Sequence, residues 1–145
     1  MPLSVVVYVL TALAAVVVVL TRLRLRRRVA GAGRVTIVRA PVGVHTVAGA
    51  VALVGWTTFL VGADILPAGT LSESALSVIG IVALVCWWVV AVAGLLILVR
   101  WLPVRGRHAA AAVDDTWSQG PGLSLLGHVG MVAGVVVFTY AYLVK

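Results

Sequence analysis

The sequence predicts an all-α integral membrane protein, four transmembrane helices in an up-down bundle with both termini on the outer, periplasmic or extracellular side. Three observations predict it. The 145 residues are 63% hydrophobic and only 10% charged, and their mean hydropathy is +1.19. A soluble chain of this length keeps much of its surface in water and could not hide so much apolar area. The apolar residues also come in four runs of membrane-spanning length. Finally, ten of the eleven basic residues fall in the connections that would share one side, as the retention of Arg- and Lys-rich loops in the cytoplasm requires.

The first run, Leu3 to Leu20, is almost unbroken Val, Ala and Leu and reaches the lower end of what crosses about 30 Å of hydrocarbon. Its charges follow it, whereas a secretory signal carries them in front. It therefore reads as a retained helix, TM1, about residues 3–21. Next comes the basic connection, about 22–40, with Arg22, Arg24, Arg26, Arg27, Arg28, Arg34 and Arg39 and no acidic residue. Its first part extends TM1 into the headgroups, where long Arg side chains reach toward phosphates. No aromatic residue interleaves these arginines to stack on bases, so the stretch points to topology and anionic lipid and away from nucleic acid.

TM2 is about 41–63, opened by Pro41 at a position where its missing N–H costs nothing. A short outer loop, about 64–72, holds Asp64 and the turn-forming Pro67-Ala68-Gly69. Thr70-Leu71-Ser72-Glu73 fits a capping box, predicting Thr70 as the N-cap of TM3, about 73–99. The second inner connection, about 100–121, carries Arg100, Arg105, Arg107, His108, Asp114, Asp115 and Trp117. TM4, about 122–144, returns the chain outward. The whole forms one domain.

Few residues can carry chemistry. Cys86 is the only cysteine and reads as a small core residue, with no intrachain disulfide and no Cys-based metal site open to it. There is no G-x-S-x-G, H-E-x-x-H or P-loop, and Asp114-Asp115 alone make a weak metal site, so the chain reads as no enzyme. No carboxylate lies in mid-membrane, which disfavours a proton-driven transporter. Holding an ionisable group at membrane depth costs free energy, which singles out His45 and His128. Each stands near the inner start of a helix that runs outward, on the order of 6 to 9 Å below the boundary at 1.5 Å per residue. Two imidazoles at one depth in a small bundle is how a b-type haem is clasped, although such a site also needs propionate partners and an acceptor behind each ring. The bland alternative is two interfacial histidines bonded to water or headgroups, and His108 reads as solvated. Gly49, Gly80, Gly94, Gly130 and Gly134 read as surfaces for close helix packing in lipid. Of the mid-span pair Trp87 and Trp88, about 100° apart on a helix, one is expected to face the bundle and the other lipid or a partner.

The expected function is therefore a small non-catalytic protein of a bacterial inner membrane, an accessory, anchoring or assembly subunit that meets anionic lipid and either other membrane subunits or itself. Heavy use of Ala, Val, Gly and Arg associates the chain with a GC-rich bacterial genome. A second reading is a b-type cytochrome or redox anchor with His45 and His128 on one haem. In outline, four spans with two similarly placed histidines look like small membrane cytochromes and cytochrome-anchor subunits. A third reading is a small transporter or channel subunit.

Overall fold

The computed structural model describes residues 1–29, 39–106 and 121–144. These form four α-helices: α1 (Leu3–Val29), α2 (Arg39–Asp64), α3 (Glu73–Gly106) and α4 (Pro121–Leu143). Among the described residues there is no strand. Helices answer the solvent: in lipid each backbone N–H and C=O must find its partner within the segment, and a helix does this from purely local bonds.

Three helical stretches are long and apolar enough to cross a membrane: Gly43–Asp64, Glu73–Leu96 and Leu125–Leu143. The apolar part of α1 described with side chains, Leu3–Val19, is shorter. Arg34 and the rest of residues 30–38, together with residues 107–120 that include Arg107, His108, Asp114, Asp115 and Trp117, lie outside the described residues.

The turn between α2 and α3 corrects the expected cap. Thr70 is committed elsewhere: both its amide and its hydroxyl donate to the Pro67 carbonyl, at 3.1 and 2.7 Å, in a turn where Gly69 has φ +85°. Glycine accepts that left-handed conformation without the clash a Cβ would cause. The helix opens two residues later, where Ser72 Oγ accepts from the Ala75 amide at 3.2 Å and the Ser72 carbonyl from the Leu76 amide at 3.0 Å. Ser72 is thus the N-cap, serving the third residue of the helix as a capping serine does.

Around the bundle the helices follow chain order, with neighbours α1·α2, α2·α3, α3·α4 and α4·α1, and α2 against α3 is the most extensive contact. Small residues close that seam. A Cβ added at Gly55 would stand 3.2 Å from the Ala83 Cβ, and one at Gly49 would stand 3.7 Å from Val90 Cγ2. At Gly80 an added Cβ would come within 2.6 Å of the Tyr142 ring and 3.0 Å of Phe59. The missing side chain lets both rings lie on α3.

The core is aromatic. Trp56, Trp87, Phe138 and Val135 are fully buried, and ring centroids run Tyr142–Phe59 5.4 Å, Phe59–Trp56 5.2 Å, Trp56–Phe138 4.9 Å and Phe138–Trp87 5.7 Å. These tilted pairs lie in the range where the ring quadrupoles attract. The adjacent tryptophans divide: Trp87 is 0% exposed and Trp88 42%, with Trp88 Nε1 donating to Thr139 Oγ1 at 3.2 Å. Thr139 in turn donates to the Val135 carbonyl one turn back, at 2.8 Å.

Two outcomes test this packing. Trp87→Ala should cost about 3 to 5 kcal/mol, as truncating a buried aromatic does, while Trp88→Ala should cost about 0.5 to 1.5 kcal/mol, the scale of one hydrogen bond. Thermal melts of both variants in detergent, followed by circular dichroism, compare them; equal losses would contradict the assignment of faces. In the same assay Ser72→Ala should lower stability by about 1 kcal/mol, and more than Thr70→Ala does.

Candidate functional site

Three helices build the site. His45 is the third residue of the apolar stretch of α2 and His128 the fourth of that of α4. Because α2 and α4 run the same way with α3 antiparallel between them, offsets one residue apart become nearly equal depths. The bundle turns that shared depth into proximity: the imidazole centroids are 6.3 Å apart and the ring planes 26° from parallel. Both residues are half-buried.

The third wall is Gly94 on α3. A Cβ there would stand 2.6 Å from His128 Cδ2, 3.1 Å from His128 Nε2 and 3.4 Å from His45 Cε1. The first distance is shorter than real Cβ contacts, so any side chain at 94 would drive the rings off α3. Gly94 was expected to serve helix packing, and it does so against two imidazoles rather than against an apolar helix face. Of the other glycines in that expectation, Gly49 and Gly80 pack within the bundle, whereas Gly130 and Gly134 of α4 have nothing within 4 Å of where a Cβ would sit.

One turn before Gly94, the Val90 carbonyl lies 3.2 Å from His45 Nδ1. A carbonyl only accepts, so Nδ1 carries the hydrogen, and in the neutral imidazole Nε2 is left with its lone pair. A backbone acceptor behind the ring is the usual way a metal-binding histidine is held in one tautomer and orientation. Sequence reasoning had no access to this acceptor, because every residue has a carbonyl and only the register of α2 against α3 selects Val90.

Elsewhere the polar groups hold structure together. Asp64 Oδ2 accepts from the Tyr8 hydroxyl at 3.0 Å, fastening α1 to the C-terminal end of α2. Tyr142 and Ser77 pair their hydroxyls at 3.0 Å, which does the same for α4 and α3. Cys86 is half-buried beside the core, as is Met131, one turn from His128. Among the described residues no group of three or more His, Cys, Asp and Glu is placed to hold a metal ion. The buried Nε1 atoms of Trp56 and Trp87 have no hydrogen-bond partner, a cost the aromatic packing around them must offset.

No protein-family model matches this chain, and neither does any curated protein or solved structure. The chemistry of the site rests on its own geometry.

That geometry makes the occupant of position 94 decisive. Gly94→Leu should destabilise the protein by about 1 to 3 kcal/mol, the scale of overpacking, whereas Gly43→Ala, where nothing lies within 4 Å of the added methyl, should be neutral or slightly stabilising. Melting temperatures of the two variants in detergent check this; a tolerated leucine would mean that the rings do not rest on α3.

Proposed function

We propose that this chain is a four-span protein of a bacterial inner membrane, with both termini outside, that serves as a non-catalytic accessory or anchoring subunit. The observation that carries the reading is the outward surface of the bundle. Leu126, Val129 and Val136 on α4, Val78, Val85 and Val92 on α3, and Val47 and Val54 on α2 all remain exposed, each within an apolar stretch of membrane-spanning length. On such a surface α4 also presents Gly130, which is exposed with an open Cβ direction, whereas Gly134 one turn on is buried. A glycine on the outer face of a helix lets a second helix approach closely in lipid, where dispersion and close packing drive association.

The orientation follows from charge. With ten of eleven basic residues in the α1–α2 and α3–α4 connections or in the helix ends that lead into them, that end of the bundle belongs on the cytoplasmic side, where it also meets anionic headgroups. Asp64 and Glu73 then fall on the outer side together with the α2–α3 turn. The first crossing is completed by the part of α1 beyond Val19, where arginine side chains end the apolar stretch.

Two measurements test the proposal. Single cysteines placed in a Cys86→Ala background should be protected from a membrane-impermeant maleimide at residue 31 and labelled at residue 69; the reverse pattern would invert the protein. Extraction in mild detergent followed by mass spectrometry should recover the chain with partner membrane proteins or as a defined homo-oligomer, and a Gly130→Leu variant should lower that recovery at least several-fold. A monodisperse monomer without partners would remove the accessory role.

A further inference from the structure

We propose that His45 and His128 form a proton-operated latch at the inner end of the bundle: with at most one ring charged both imidazoles stay seated on Gly94, and with both charged they leave it and let α2 and α4 part from α3. The proposal uses the membrane-embedded reading and the orientation given above, and it is independent of which subunits the chain accompanies.

The ligand is the proton, because backbone already fills the space at the ring edges. A Cβ at Gly94 would stand 2.6 and 3.1 Å from two atoms of His128 and 3.4 Å from His45 Cε1. The α3 backbone therefore lies against both rings, and the b-type haem that the sequence also suggests has no room there. A proton needs only a lone pair. His45 gives its Nδ1 hydrogen to the Val90 carbonyl, which leaves Nε2 to take a proton without breaking that bond. Both rings are half-buried and stand about one turn inside the inner ends of their apolar stretches, close enough to the boundary for protons to arrive from water.

One charge is tolerated at this place and two are not. The ring centroids are 6.3 Å apart, a separation at which two unit charges in a medium of effective dielectric constant about 20 weaken binding of the second proton on the order of 100-fold. Among the described residues the helices supply no carboxylate at this end to offset that. The part of α1 from Arg22 to Arg28 holds five arginines, α2 begins at Arg39, α3 carries Arg100 and Arg105 beyond Gly94, and α4 has no Asp, Glu, Lys or Arg. Asp64 and Glu73 are at the other end of α2 and α3, and Cys86 is about two turns from Gly94 on α3.

The two ends of the bundle are held differently. At Gly94 the contact is ring against bare backbone, and it ends once charged rings swing toward the headgroups, as cationic side chains near a boundary do. The outer end has ties of its own in the aromatic run from Tyr142 to Trp87, in the Ser77–Tyr142 hydroxyl pair and in the bond from Tyr8 to Asp64. It stays closed while the inner end opens. Because the open state takes the second proton more readily, acid favours it.

Distances between spin labels test the latch. In a Cys86→Ala background in mild detergent, nitroxides at Val44→Cys on α2 and Leu126→Cys on α4, both exposed sites, should move apart by several ångströms from about pH 8 to about pH 5, the range over which imidazole charges. Labels at Ala63→Cys and Leu143→Cys, at the outer ends of the same helices, should hold their distance. His45→Gln and His128→Gln, which keep a polar side chain but take no proton, should each abolish the movement, and His108→Gln should leave it intact.

The titration gives a second measure. In the unsubstituted protein, NMR of isotope-labelled histidine should show the two rings taking protons in separate steps, and replacing either ring should raise the midpoint of the other by about one pH unit or more. Movement that survives in both glutamine variants would overturn the proposal, as would rings whose midpoints ignore each other or a distance that stays fixed with both rings charged. Detergent exposes both ends to one buffer, so these outcomes do not depend on orientation; an inverted protein would change only the side from which acid acts.

Discussion

Close approach of α3 to its neighbours, made possible by residues with little or no side chain, is the constraint on which the rest of the structure depends. In lipid there is no hydrophobic reward for bringing two apolar helices together, since the tails are as apolar as leucine. Dispersion and a few hydrogen bonds must do it, and both fall off steeply with distance. Gly55 against Ala83, Gly49 against Val90 and Gly80 beneath Tyr142 and Phe59 bring the backbones near enough for the large rings to fill what remains. The aromatic run from Tyr142 to Trp87 then occupies the centre, and only in that setting is the register of α2 against α3 narrow enough to put one chosen carbonyl behind His45.

The same constraint explains why the histidines meet. Two polar rings at membrane depth are each costly alone, and nothing in their separate helices draws them together. The bundle does so because α2 and α4 run in the same direction across the antiparallel α3, and because α3 offers a bare backbone, Gly94, at their level. His45 recovers part of its desolvation cost through the Val90 carbonyl. That bond also fixes which ring nitrogen remains basic, so packing and chemistry here are one arrangement seen from two sides.

Much of this was legible in the residues. Apolar run length gives the all-helical class, because a membrane-length run leaves only one economical structure for its backbone, but not the helix ends, since α1 continues to Val29 and α3 to Gly106, beyond the apolar runs. Nearly equal offsets of His45 and His128 from two helix starts give their similar depth. What one dimension could not show is what depends on rotation about each helix axis and on register between helices: that Gly94 faces both rings, that Val90 supplies the acceptor, that Trp87 is the inward member of its pair. The cap at Ser72 was missed for a different reason. Thr70 and Ser72 both match the cap preference, and the competition was decided by the turn at Pro67 and Gly69, which claimed the threonine hydroxyl first. Tyr8 carried no signal at all, since its bond to Asp64 joins residues 56 apart in the chain.

The placement of the tryptophans has an optical consequence. Trp56 and Trp87 hold their indole N–H groups in a dry core with no acceptor, so their excited states have no dipolar surroundings that can relax, and they emit at the short-wavelength edge of indole fluorescence. Trp88, bonded to Thr139 at the bundle surface, sits where a brominated or spin-labelled lipid can reach it. The chain therefore contains its own interior and boundary reporters on consecutive residues of one helix, and a change in how α3 turns within the bilayer would exchange their colours.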